Sequence, residues 1–121
     1  MPVITEDLAR QGWYIVAEHS GYYGRDEGVL AAGTLKAGAV LGRVTATGKY
    51  VEFNPGAADG SEEAAAVLYD GADASGGEVD VVVTARATEV RTSALAWADG
   101  VTDPQKTAAI ASLGALGIVA R

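Results

Sequence analysis

Chemistry in this chain would have to begin with its single histidine, His19, which stands beside Ser20. A serine nucleophile needs a base within hydrogen-bond reach. Adjacent residues of a strand point to opposite faces, so His19 and Ser20 form no such pair there, and His19 reads as a surface or packing residue. The chain has no cysteine, which removes disulfides, thiolate metal sites and a cysteine nucleophile. Carboxylate pairs stand at Glu62 with Glu63 and at Asp70 with Asp73, in stretches of Gly, Ala and Ser where carboxylates are ordinarily solvated. Asp70-Gly71-Ala72-Asp73 lacks the alternating oxygen ligands of an EF-hand loop, and offers at most a weak Ca²⁺ contact. Gly48-Lys49 resembles the end of a phosphate loop, but Arg43 occupies the place of its first glycine and Tyr50 that of its Ser or Thr. Gly33, Gly38 and Gly42 do not have dinucleotide-fingerprint spacing either. No catalytic, cofactor-binding or metal residues are expected, and the chain is read as a binder.

Composition narrows what it could bind. The net charge is −7 and the nine basic residues are scattered, which disfavours nucleic acid and anionic membranes alike. No run approaches the roughly 20 apolar residues of a membrane span. The N-terminus has Glu6, Asp7 and Arg10 and no apolar stretch like that of a signal peptide, so a cytosolic start is expected. Hydrophobic residues make up 49%, but many are alanine and 16 residues are glycine, which implies a thin core. A thin core makes an oligomer plausible, because burial between subunits supplies stability that one subunit lacks.

The pattern of elements is β-rich and fits one domain. Val40 to Ala46 alternates, Thr47-Gly48-Lys49 turns, and Tyr50 to Phe53 returns as a hairpin partner until Asn54-Pro55-Gly56 ends it. A short strand is expected at 65–69 and the best one at 78–87, with Val79, Val81, Val83 and Ala85 on one face and Asp80, Val82, Thr84 and Arg86 on the other. One helix is expected near the C-terminus. Thr102 and Gln105 have capping-box spacing, Pro104 suits a first turn, and Gly117 suits the position after the end. Ala109, Ile110, Leu113 and Leu116 recur at helical intervals, and Ile118-Val119 reads as a closing strand.

Residues 1 to about 27 have no clean period. Trp13, Tyr14, Tyr22 and Tyr23 stand there without evident apolar neighbours. Two readings remain open: a loosely packed segment with one short strand near Tyr14 to Ala17, or an arm that orders on a partner with these aromatics as anchors. Trp97 reads first as core, and secondarily as a subunit contact.

The series Val29-Leu-Ala-Ala-Gly33-Thr-Leu-Lys-Ala-Gly38-Ala-Val-Leu-Gly42-Arg-Val-Thr-Ala-Thr-Gly48-Lys-Tyr-Val51 resembles the central signature of the lambda-type bacteriophage head-decoration proteins. So do Pro55, Asp59-Gly60-Ser61, Val67-Leu68-Tyr69, the valine strand to Arg86, Leu95-Ala-Trp97, Gln105-Lys106 and Leu116-Gly-Ile-Val-Ala-Arg121, together spanning roughly residue 10 to the end. The resemblance implies a mainly β, barrel-like or β-clip-like subunit with one short C-terminal helix. It also implies a homotrimer that binds the major capsid protein on the outside of an expanded head and stabilises it against internal DNA pressure. In such proteins the N-terminal segment is flexible when free and pairs with a capsid strand when bound. That division would place an arm at 1–27 and the decoration domain at 28–121, with the protein in the host cytoplasm before assembly. The competing expectation is a small-ligand or carbohydrate-binding β module; an enzyme with a site built across subunits is more distant.

Overall fold

The valine strand expected at 78–87 becomes one stave of a closed barrel, and its alternation separates the barrel's inside from its outside. A computed structural model describes residues 11–18 and 24–121. Its strands are β1 (Ile15–Glu18), β2 (Arg25–Leu30), β3 (Thr34–Leu35), β4 (Val40–Arg43), β5 (Tyr50–Glu52), β6 (Ala64–Leu68), β7 (Ala72–Asp73), β8 (Val79–Thr84), β9 (Thr88–Val90) and β10 (Ile118–Ala120). A 3-10 turn at Thr92–Ala94 and the helix α1 at Asp103–Ala115 complete it, so the fold is mainly β with one short C-terminal helix. The barrel runs β2-β5-β4-β6-β8, antiparallel throughout except where β2 meets β5 at Leu30 and Tyr50. Val81 and Val83 are buried within it, while Asp80 and Val82 face outward.

The β4–β5 hairpin forms as expected, with Leu41 opposite Glu52 and Arg43 opposite Tyr50. Its turn is longer than the alternation suggested. Val44 and Ala46 lie in it, because pairing ends at Arg43 and the Val44 N–H closes onto the Lys49 carbonyl at 2.9 Å. The strand β8 also stops early. The Ala85 and Arg86 N–H groups both reach the Gly24 carbonyl, and Ala87 at φ 50° turns the chain out of the barrel.

Two apolar clusters share the barrel wall. One fills the interior with Leu30, Leu41, Tyr50, Leu68, Val81 and Val83 among others. The other lies outside β4 and β6, where Val40 and Val67 meet Tyr14, Val90, Leu113 and Ile118. Both strands are therefore buried on both faces: β6 is apolar throughout, and β4, expected to alternate, has Val40 and Leu41 buried on opposite sides of the wall. The outer cluster is roofed by α1 and by a three-stranded sheet, β1-β9-β10, with β1 antiparallel and β10 parallel to β9. The Thr102 hydroxyl accepts from the Gln105 N–H while the Gln105 side chain accepts from the Thr102 N–H, so the expected capping box is present. Gly117 at φ 87° releases the chain into β10. Leu116 corrects the expected helical stripe: Ala109 and Leu113 are buried, but Leu116 at the helix end is 44% exposed.

Parts of the region expected to be an arm are paired into this body. Ile15 stands opposite Val90, and Arg25, Asp26 and Glu27 pair with Thr84, Val83 and Val82. Residues 1–10 and 19–23 of that region lie outside the described residues.

Gly42 shows how tightly the wall is built. A Cβ there would lie 2.5 Å from the Cα and the carbonyl oxygen of Ser61, at the point where the β4–β6 register shifts. Both are backbone atoms of the buried Ser61, whose carbonyl also accepts from the Asn54 N–H at 3.0 Å. Gly42→Ala is therefore expected to cost about 1–3 kcal/mol, the usual range for overpacking, read as a lower urea midpoint with an unchanged slope.

Candidate functional site

The edge strand β1 and the residues leading into it form the region where chemistry or recognition was expected to concentrate. The Gly12 N–H donates to the Tyr69 carbonyl at 2.8 Å, and the Ile15 N–H returns to the Gly12 carbonyl at 3.0 Å, so a tight turn precedes the strand. Trp13 is half-buried, and its Nε1–H donates to the Ala37 carbonyl at 3.1 Å. Tyr14 is completely buried, with its hydroxyl 2.5 Å from the Thr84 Oγ1 on the outer face of β8. The Arg91 backbone N–H and guanidinium bond the carbonyls of Tyr14 and Trp13 at 2.8 and 3.0 Å.

These contacts correct the expectation that Trp13 and Tyr14 lack apolar neighbours. Their neighbours are supplied by distant segments: Thr84 is 70 residues from Tyr14 in sequence. Burial is the main reason the Tyr14 phenol is held far above its usual range; the Thr84 hydrogen bond opposes it, and the nearby Tyr69 and Glu18 reinforce it. The phenol stays neutral and acts as a clamp between β1 and the barrel. Tyr22, Tyr23 and His19 lie outside the described residues. Trp97 is partly buried and meets Phe53 edge-on at 6.0 Å and 74°, packed against the outer cluster.

Glu18 at the end of β1 receives the Arg25 guanidinium in a two-point contact of 2.5 and 3.2 Å, and that guanidinium also lies 4.1 Å from the centre of the Tyr69 ring. Planar stacking with a paired carboxylate is a geometry that lysine could not reproduce. The ends of β1 and β2 are thereby held together.

Among the described strands, β1 has β9 as its only partner and forms one edge of its sheet. Its register sets Ala17, Glu89 and Val119 side by side across the outer face. Val16, at the bulge between Ile15 and Ala17, is 51% exposed, and Val119, 44% exposed, stands beside Glu89, which pairs with Arg121 at 2.5 Å. An edge with unpaired backbone groups and apolar side chains is suited to strand addition. Sequence reading missed this face. Val16 has no periodic neighbours, and the short β9 that organises the face has no alternation of its own. Val82 was different, since the pattern of β8 had already put it outside.

The carboxylates considered for metal binding serve their own loops. Asp73 accepts from the Ser75 hydroxyl and N–H at 2.6 and 2.9 Å and from the Thr34 hydroxyl at 2.9 Å, and these bonds, Ser75's first, hold its carboxyl below the usual range. Asp59 repeats the arrangement with Ser61 at 2.6 and 3.0 Å. Asp70 accepts from the Gly71 N–H at 2.8 Å. Among the described residues no His, Asp and Glu group is arranged to hold a metal ion. Glu52 behaves oppositely: burial, then the nearby Asp99, raise its carboxyl above the ordinary range.

Fold and surface together define a small β-barrel protein whose exposed features are a sheet edge and scattered apolar side chains. The family model for bacteriophage lambda head decoration protein D matches residues 3–118, most of the chain, and the chain belongs to that family. Membership places it among viral structural proteins, with a role in capsid decoration at the virion surface. No curated protein matches the chain.

Tyr14→Phe leaves the Thr84 hydroxyl buried without its partner and is expected to destabilise the fold by about 1–3 kcal/mol, measured by urea unfolding. Glu52 generates a pH prediction. A carboxyl raised on folding binds its proton more tightly in the folded state, so stability present below the unfolded value is lost as pH rises through the folded one. Glu52→Gln removes that loss. Its melting temperature is expected to exceed that of the parent at neutral pH and to match it in acid below the ordinary carboxylate range.

Proposed function

We propose that the chain binds the major capsid protein on the outside of an expanded phage head, as a homotrimer, and stabilises the shell against internal DNA pressure. Family membership over residues 3–118 carries this reading. The edge strand β1 supports it, because residues 1–10 are followed by a turn and strand anchored through Trp13 and Tyr14. A pull on those residues would be delivered to the barrel through buried contacts rather than through a loose loop. In this reading residues 1–10 add a strand to the shell protein, with backbone hydrogen bonds giving affinity and alternate side chains giving fit.

The mechanism is linkage. A protein that binds the expanded shell and not its precursor stabilises the expanded state by mass action. Three linked subunits engage together, so each contact can be weak while the assembly holds. Before assembly the protein is free in the host cytoplasm.

Two measurements test the proposal. Mixed with expanded and unexpanded shells, the protein is expected to co-sediment with the expanded form alone and to raise its melting temperature; equal binding to both would sink the mechanism. Deletion of residues 1–10 is expected to leave the protein's own melting unchanged and to abolish co-sedimentation. A longer deletion through Tyr14 would remove the clamp and confuse loss of binding with loss of fold.

A further inference from the structure

Two depressions on the barrel carry complementary equipment. The first lies on the flank made by β2 and β8 and includes Glu27, Val29, Tyr69, Asp70, Asp80 and Val82. The register puts Glu27 opposite Val82 and Val29 opposite Asp80, so carboxylates and valines alternate across its floor. Val82 is 38% exposed. Glu27 and Asp80 take part in no ion pair among the described residues. Val82 is a large apolar side chain left to solvent between two unneutralised carboxylates.

The second depression lies at one end of the barrel, where Arg43, Tyr50, Ala65 and Arg86 meet Leu116 at the end of α1. Arg86 is paired with Asp26 at 2.5 Å. Arg43 is held differently. Its guanidinium stands 5.5 Å from the Tyr50 ring centre and its Nε–H donates to the Gly48 carbonyl at 2.9 Å. It takes part in no ion pair among the described residues, although acidic residues outnumber basic ones by 16 to 9 in the chain. Glu62 and Glu63 line the adjoining hollow, but the Glu62 carboxylate is taken by the Gly60 N–H at 2.7 Å and neither acid pairs with Arg43. Beside this oriented, unneutralised cation stands Leu116, 44% exposed.

The two depressions share no residue; the second also holds Asp26, but that carboxylate is taken by Arg86. Each therefore joins an exposed apolar side chain to charge left without an ion pair among the described residues, negative at Glu27 and Asp80 and positive at Arg43. Copies carrying a charge of −7 repel one another at a distance, so a contact between them must bring opposite charges together locally. We propose that the Arg43–Leu116 corner of one copy docks on the Glu27–Val82–Asp80 flank of the next. Distinct surfaces make this contact heterologous, and it generates a ring when the rotation closes. The inference rests on the self-association proposed above and names the surfaces that carry it.

Sedimentation velocity on the full chain tests it, with R43E, E27K and the R43E/E27K double variant compared at matched concentrations. The parent is expected to sediment as a closed oligomer that weakens with salt, and each single variant as a monomer. The double variant restores an acid–base pair across the junction and is expected to reassemble. L116D probes the apolar half independently of Arg43's contacts with Tyr50 and Gly48, and is also expected to be monomeric. Circular dichroism confirms that each variant is folded. Single variants and L116D that all keep the parent's oligomeric state would overturn this interface while leaving self-association intact. Single variants that dissociate with a double variant that stays monomeric would overturn the pairing of these two faces. A parent that is monomeric at every concentration would remove the self-association reading itself.

Discussion

The structure depends on one wall being used twice. Strands β4 and β6 close the barrel with Leu41, Ala66 and Leu68 turned inward, and Val40 and Val67 turned outward into a second apolar cluster. Neither cluster is large, and burial in a small domain is limited by its high surface-to-volume ratio. Sharing strands lets each apolar residue of the wall contribute without a third layer. The arrangement demands close approach on both sides, and Gly42 meets that demand with no side chain against Ser61. It also explains an amino-acid content rich in alanine and valine, since larger residues on both faces would push the layers apart.

With its interior filled by side chains, the barrel leaves function to the surface. Tyr14 is the connection between the two. Its ring belongs to the outer cluster and its hydroxyl closes on Thr84, so the edge strand β1 is fastened to the barrel at a point away from its exposed Val16 and Ala17. A rigidly mounted edge loses little further freedom when another strand adds to it, and that saving appears as affinity. The loop carboxylates follow a related economy. Asp59 and Asp73 each satisfy a serine two residues on, and so keep short loops in one shape without help from the thin core.

Much of the architecture was legible from local signals. The capping box at Thr102, the hairpin around Gly48, the alternation of β8 and the closing strand at Ile118 each rest on residues close in sequence, whose geometry needs little from elsewhere. The ends of these elements were less legible. Arg43 ends β4 and Ala87 redirects the chain after β8 because of hydrogen bonds to partners that the local pattern does not name. Strand β9 left no pattern at all: three residues between two neighbours cannot show a period.

The sequence by itself determined a small acidic β-rich chain, its strongest strand and helix, and, through an ordered series of glycines and apolar segments, its family. Those are properties of short windows and of their order along the chain. Only the tertiary structure decided that Tyr14 is buried with its hydroxyl on Thr84, that Leu116 is exposed at the end of its helix, and that Glu27 and Arg43 line separate depressions. Burial and exposure are set by what packs against a residue. For Tyr14 the hydroxyl's partner lies 70 residues away, beyond the reach of any local period.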